Sequence, residues 1–335
     1  MTDSTSQQSP EPLGAVVLLS GGLDSQLAVC LLKAQGIRVH GITFTSPFFT
    51  ADKARRAAAA VGVPLMVEDF ASDVLSLLHK PPHGFGSNMN PCIDCHALML
   101  RRAGGLMESL GCRFICTGEV LNQRPMSQNL RSLKIVEQCS GYAGFIVRPL
   151  SAKLLPETEP ERLGWIRRDQ LLDINGRRRD IQLRLAGKYG LTEFPSPAGG
   201  CLLTDPGFSA RLRDLRGHDG LDDPAAIELL KLGRHLRLGQ GTKLIVGRNM
   251  AENGKIEAFA GTKYLVLRTE VVPGPTCLLT LTTDDALVRQ AAVICASYSD
   301  VAAGTPARVR VTSAGGDRFL DIQPVPRAEI DGLRI

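Results

Sequence analysis

Apolar and polar positions along the first half of the chain alternate between two periods. Ala15–Leu19 is an unbroken apolar run followed closely by glycine, the pattern of a strand buried on both faces. Asp24–Ala34 places apolar residues at helical spacing and stops at Gly36, so it predicts a helix. Arg38–Phe44 predicts a second strand, Thr50–Ala60 an alanine-rich helix stopped at Gly62, and Pro64–Val67 a third strand. Ala97–Leu110 predicts another helix, Arg113–Cys116 the strand after it, and Gly144–Val147 one strand more. Strands alternating with helices imply crossover connections: an α/β fold with a parallel sheet and helices on both faces.

The rhythm changes near Ser151. "KLLPETEPERLGW" is rich in proline and glutamate and reads as a connection. Arg167–Tyr189 predicts a basic helix that includes Arg177, Arg178 and Arg179, and Phe194–Gly207 a loop. Ala225–Gly233 predicts a short helix. Short strands follow at Lys243–Val246, Tyr264–Arg268 and Cys277–Thr282, then a helix over Asp284–Tyr298 and late strands at Arg308–Thr312 and Phe319–Gln323. The expected organisation is a disordered tail over 1–13, an α/β domain over 14–165, a basic helical connection over 166–222 that holds Cys201, and a small α+β domain over 223–335.

Composition adds limits. A length of 335 residues suits about two domains. The chain is 44% hydrophobic and 22% charged, within the range of globular proteins. A net charge of +5 permits a polyanionic partner without requiring one. The polar start "MTDSTSQQSPEP" lacks the basic and apolar regions of an export signal, and no apolar run reaches the ~18 residues of a membrane span. A cytoplasmic location is the expectation. Nine cysteines in such a chain point to metal or catalysis rather than to disulfides.

Between the first strand and the first helix stands Ser20-Gly21-Gly22-Leu23-Asp24-Ser25. A glycine-rich turn entering a helix presents unpaired backbone N–H groups on the positive end of the helix dipole, a place where phosphate binds. Ser20 and Ser25 add hydroxyls, and Asp24 suits Mg²⁺ held between its carboxylate and phosphate oxygens. The loop has neither the GxxxxGK[ST] nor the GxGxxG pattern. Phe44, at the end of the second strand, and Gly118, just after the Arg113–Cys116 strand, join the candidate nucleotide site, because ligands of open α/β sheets sit beyond the strands' carboxyl ends. SGGLDS resembles the pyrophosphate loop of the PP-loop ATP pyrophosphatases. The resemblance implies the PP-loop variant of the HUP-like fold, binding of ATP with Mg²⁺ at Asp24, cleavage to AMP and pyrophosphate, and adenylation of a carbonyl oxygen.

"NPCIDCH" sets Cys92 and Cys95 three residues apart at a helix start, where thiolates are favoured, and Cys201 follows in "PSPAGGC". Taken with SGGLDS, Asn90-Pro91-Cys92 and Cys201 resemble the tRNA-thiolating PP-loop enzymes, the tRNA-specific 2-thiouridylase group above all. "VRPLSAKLLPET" resembles the RPL or FPL strand of that group. The resemblance implies that Cys92, Cys95, Cys201 and Asp24 carry the chemistry. It leaves three roles open for the thiols: a nucleophile and persulfide pair, three ligands of a [4Fe–4S] cluster with one open iron, or a zinc site completed by His96.

"VGRNMAEN", Val246–Asn253, and the later "GPTCLL" resemble the RNA-binding domain of the NFACT proteins. The family's aromatic-rich segment after the motif is missing here. Lys243, Arg248, Asn249, Arg177 and Arg178 are the candidate RNA contacts, and one tryptophan and four tyrosines leave little for base stacking. The combined expectation is an ATP-dependent sulfurtransferase that acts on tRNA, replaces a base carbonyl oxygen with sulfur, and draws its sulfur from an external donor. Two alternatives use the same residues: thiolation of a small molecule or cofactor precursor, and a PP-loop amidotransferase or ligase in which the cysteines hold a structural metal.

Overall fold

The structure is a computed structural model that describes residues 13–196, 200–239, 241–302 and 304–335. The tail expected over 1–13 lies, but for Leu13, outside them, as does 197–199 of the loop before Cys201. Two compact units divide the chain, the first ending at Leu202 and the second running Leu203–Ile335. The segment expected as a separate connection is split between them.

The first unit runs β1 (Gly14–Leu18), α1 (Leu23–Lys33), β2 (Arg38–Thr45), α2 (Asp52–Val61), β3 (Leu65–Asp69), α3 (Ala71–His79), α4 (Cys92–Gly105), β4 (Phe114–Thr117), α5 (Leu130–Ser140), β5 (Ile146–Val147), α6 (Glu159–Arg162) and α7 (Asp180–Tyr189). Its five strands lie in the order β3-β2-β1-β4-β5, and every pairing is parallel. The strands are apolar throughout because both faces of the sheet are covered. Val17, Phe114, Cys116 and Val147 share one core with Leu27, Ala28 and Leu31 of α1, Ala57 of α2 and Ala186 of α7. Ile115 and Ile146 turn the other way, onto Ala97 and Leu100 of α4 and Val136 of α5. Buried Cys112 and Cys116 are packing residues, as their places around a strand suggest.

Several boundaries differ from the expected ones. Helix α4 begins at Cys92, so both thiols of the pair lie on the helix rather than before it. The expected 167–189 helix is α-helical only from Asp180. Ahead of it Gly176, at φ +83°, donates its N–H to Leu121 O at 2.8 Å, and Asn175 bridges to Leu121, which holds the backbone extended.

The second unit opens with α8 (Pro206–His218) and α9 (Pro224–Leu229), each started by an aspartate cap and a proline. Strands β6 (Arg234–Arg237) and β7 (Lys243–Val246) follow, then α10 (Met250–Glu257), β8 (Tyr264–Thr269), β9 (Cys277–Thr280), α11 (Asp285–Ser297), β10 (Ala307–Ser313) and β11 (Gly316–Ile322). The six strands form one antiparallel sheet in the order β11-β10-β8-β9-β7-β6. Val288, Ala291, Ala292 and Cys295 of α11 fill one face, while Ile256 of α10 packs with Ile245 and Leu278 on the other.

The VGRN-to-Asn253 motif braces this unit. Asn249 Oδ1 accepts the Glu252 N–H at 3.0 Å and so caps α10. Asn253 Oδ1 accepts the Thr276 N–H at 3.0 Å, and its amide donates to Gly274 O at 3.3 Å. A Cβ on residue 247 would fall 2.0 Å from Asn253 Oδ1, so only glycine fits beside that bond. Gly247→Ala is expected to displace the Asn253 side chain and destabilise the protein by about 1–3 kcal/mol. Urea unfolding followed by a probe in residues 203–335 checks this, and an unchanged midpoint contradicts it.

Candidate functional site

The candidate nucleotide loop leaves β1 at the carboxyl edge of the sheet. Its glycines have separate tasks. Gly21 sits at φ +82°, and a Cβ there would lie 2.4 Å from the carbonyl carbon of Lys53. Gly22 is extended at φ −76° and caps α1 with no side chain over the helix end. The serines shape the turn: Ser25 Oγ donates to Gly22 O at 2.8 Å, and the Gly22 N–H donates to Ser20 Oγ at 3.4 Å. Leu23 is buried and anchors the helix start. Phe44 is buried too, its ring centroid 5.3 Å from that of Phe70, so it serves as a wall of packing.

Gly118 closes the site from β4. A Cβ on it would lie 2.5 Å from the Ser25 nitrogen and 2.6 Å from the Asp24 carbonyl carbon. Backbone meets backbone here, and no side chain has room. Five residues on, Gln123 donates its Nε2 to Asp24 Oδ2 at 3.1 Å. The other carboxylate oxygen, Asp24 Oδ1, is buried without a hydrogen-bond partner among the described residues. A buried carboxylate oxygen with no donor is unusual, and the chemistry of such an oxygen fits a divalent cation. Gln26 is fully buried, and its Nε2 donates to Gly21 O at 3.4 Å and Glu193 O at 3.2 Å. Neither glutamine carried a local signal in the sequence.

The next residue, Glu119, runs the frame toward the thiols. Its Oε1 meets His96 Nδ1 at 3.0 Å, and its Oε2 accepts from Thr117 Oγ1 at 3.1 Å and Arg148 Nε at 2.9 Å. Arg148, the arginine of the RPL segment, also donates to Glu137 at 2.6 Å. Burial pushes the Glu119 carboxyl up, but Arg148 and His96 outweigh it and hold the group down at about 2. His96, a candidate fourth zinc ligand, therefore has one ring nitrogen committed to Glu119.

Cys92 and Cys95 lie on the first turn of α4. Asn90 Nδ2 donates to Cys92 Sγ at 3.1 Å. Asp94, between the thiols, is buried and bound to His83 through Nδ1 at 2.6 Å and the backbone N–H at 3.0 Å. Cys201 is near enough to Cys95 to act on it electrostatically. Burial raises the Cys95 thiol far above its ordinary range, and the neighbouring charges of Cys201, Cys92, Asp94 and Asp73 raise it further. The helix start, expected to favour thiolates, is outweighed at Cys95. The three cysteines share one neighbourhood, yet among the described residues no three His, Cys, Asp or Glu side chains converge to hold a single ion.

The candidate RNA contacts are less uniform. Lys243 is withdrawn: it is 7% exposed, and its Nζ lies 3.1 Å from Asp214 Oδ2. Arg248 is half-exposed, with its Nε 3.0 Å from Glu252 Oε1, while Asn249 is spent on capping. Arg177 and Arg178 are exposed ahead of α7, with Arg178 Nε 3.2 Å from Asp180. Phe319, unmarked by the sequence, is 45% exposed, and the Arg308 guanidinium stands 4.9 Å from its ring centroid.

Comparison with known proteins agrees with this division. Residues 13–153 match the family described as thiamine biosynthesis protein (ThiI), and residues 233–333 match the NFACT protein RNA binding domain. The chain carries a PP-loop domain of the ThiI type followed by an NFACT-type domain. A tRNA-specific 2-thiouridylase MnmA of Marinobacter nauticus is 30% identical over 142 residues, which cover 38% of this chain and 36% of that protein. A "Probable tRNA sulfurtransferase" of Caldanaerobacter subterraneus is 30% identical over 152 residues, 42% of this chain and 38% of that one. The chain thus spans under two fifths of the length of these relatives. A solved 4-thiouridine synthetase–RNA complex with bound ATP is 26% identical over 41% of this chain and 36% of that chain, with a TM-score of 0.34.

Because folding holds the Glu119 carboxyl below its ordinary value of 4.5, its contribution to stability is complete above about pH 4.5 and disappears as the pH falls toward 2. Urea unfolding of wild type and Glu119→Gln at pH 7 and pH 3 measures it. The gap between them is expected to be on the order of 3 kcal/mol at neutral pH and to shrink in acid. An equal gap at both pH values contradicts the assignment.

Proposed function

We propose that this protein is an ATP-dependent RNA sulfurtransferase acting on tRNA. The observation that carries the reading is the nucleotide loop with Asp24 at its centre, framed through Gly118 and Glu119 to the helix that bears Cys92 and Cys95. The loop's N–H groups and the α1 dipole suit the phosphates of ATP. Asp24 would hold Mg²⁺ through the oxygen that lacks a partner. Electrophilic activation of a base carbonyl by AMP follows: the carbonyl oxygen attacks the α-phosphorus, pyrophosphate departs, and sulfur then displaces the oxygen with AMP. The protein's share is positioning and charge neutralisation.

Cys92, Cys95 and Cys201 are the sulfur site. The thiol set fits a [4Fe–4S] cluster with those three ligands, and such a cluster, when bound, would supply an open iron on which sulfur is held. The persulfide route uses Cys201 and one of the pair. RNA is the proposed partner of the NFACT-type domain, with exposed Arg248 and Lys255 and the Phe319–Arg308 surface as its contacts. The sulfur donor is external.

Two measurements test this. Asp24→Asn is expected to lower RNA-dependent formation of AMP at least 100-fold while leaving the unfolding free energy within about 0.5 kcal/mol of wild type. Undiminished AMP release would remove Asp24 from the reaction. Anaerobically purified protein is expected to contain about four iron and four sulfide per chain, reduced to a small fraction in Cys92→Ser, Cys95→Ser and Cys201→Ser. Stoichiometric zinc with no sulfide would instead favour the amidotransferase or ligase alternative.

A further inference from the structure

Beside the nucleotide loop lies a groove of about 300 Å³ lined by Gly21, Lys53, Arg56, Ala57 and the segment 192–195. Lys53 and Arg56 lie three residues apart on α2 and therefore share a face of the helix. Both are exposed, and neither forms an ion pair with a carboxylate among the described residues. The opposite wall supplies one acid, Glu193, so two positive charges face one negative and the lining carries a net +1.

The groove is built rather than incidental. Close packing of Gly21 on the Lys53 backbone fixes the start of α2 against the loop. Buried Gln26 bonds both Gly21 O and Glu193 O, so one side chain ties the two walls together and sets their separation. Its remaining oxygen, Oε1, is buried with no partner among the described residues. Two cations without a carboxylate partner among the described residues, on a helix whose start packs against a phosphate-binding loop, suit a small, highly charged anion.

We propose that Lys53 and Arg56 form a pyrophosphate site that receives the β- and γ-phosphates of ATP as they leave. The inference deepens the ATP-cleaving reading and rests on it. In that step the carbonyl oxygen forms a bond to the α-phosphorus, and the bond from that phosphorus to the bridging oxygen breaks. The bridging oxygen keeps the electron pair, and the departing group gains negative charge. Lys53 and Arg56 stand where that charge develops. A phosphate of the RNA backbone has the same chemistry, so the test carries an arm for each source.

The test is calorimetric titration of the full-length protein with magnesium pyrophosphate, AMP and tRNA, in wild type, Lys53→Ala, Arg56→Ala and Lys53→Arg. Each alanine variant is expected to weaken pyrophosphate binding about tenfold with AMP affinity unchanged within twofold, and Lys53→Arg is expected to restore most of the loss. Unchanged AMP binding also shows that the variants are folded. Pyrophosphate binding within twofold of wild type in both alanine variants overturns the inference, as does a loss confined to tRNA. A wild-type protein that binds neither AMP nor pyrophosphate overturns the ATP-cleaving reading itself.

Discussion

The close approach of two backbones, Gly118 at the end of β4 and Asp24–Ser25 at the start of α1, organises the first unit. The absence of a side chain at residue 118 lets two neighbouring crossover units meet where the sheet's carboxyl edge opens. The frame of the candidate site starts from that contact. Asp24 faces it from one side. Glu119, next in the chain, braces His96 on the thiol-bearing helix, while Gln123 steadies one oxygen of Asp24. Arg148 fixes Glu119 from β5's end and is itself anchored to Glu137. A buried carboxylate and guanidinium of this kind hold their geometry because separating them would strand a charge away from water.

The second unit illustrates how a signature can be misread as a contact list. Its motif asparagines are turned inward onto α10 and the Thr276 backbone, and Lys243 is joined to Asp214. The residues that look most like phosphate contacts by charge are partly consumed by the fold. What faces solvent is Arg248, Lys255 and the Phe319 ring beneath Arg308.

Local pattern made much of the α/β framework legible. Buried parallel strands are apolar runs, and SGGLDS interrupts one of them where a helix must begin. Helices α3, α5 and α8 escaped that reading, although α3 buries Val74 and Leu78 and α5 buries Leu133 and Val136 at helical spacing. The overlong 167–189 helix arose because leucines and arginines continue at helical spacing, whereas the backbone there is committed to Leu121, far away in sequence. The candidate site divides the same way. Its loop and thiols are local motifs. The Gln123–Asp24 bond joins residues 99 apart, and the Gln26–Glu193 bond residues 167 apart, separations over which one sequence carries no visible pairing.

Oxygen tracing reaches the centre of this account. The protein would be incubated anaerobically with ATP, sulfide and a tRNA whose base carbonyl oxygens carry ¹⁸O, and the released AMP examined by mass spectrometry. Adenylation of the carbonyl predicts one ¹⁸O in AMP for each thionucleoside formed. Thionucleoside accompanied by unlabelled AMP would contradict it.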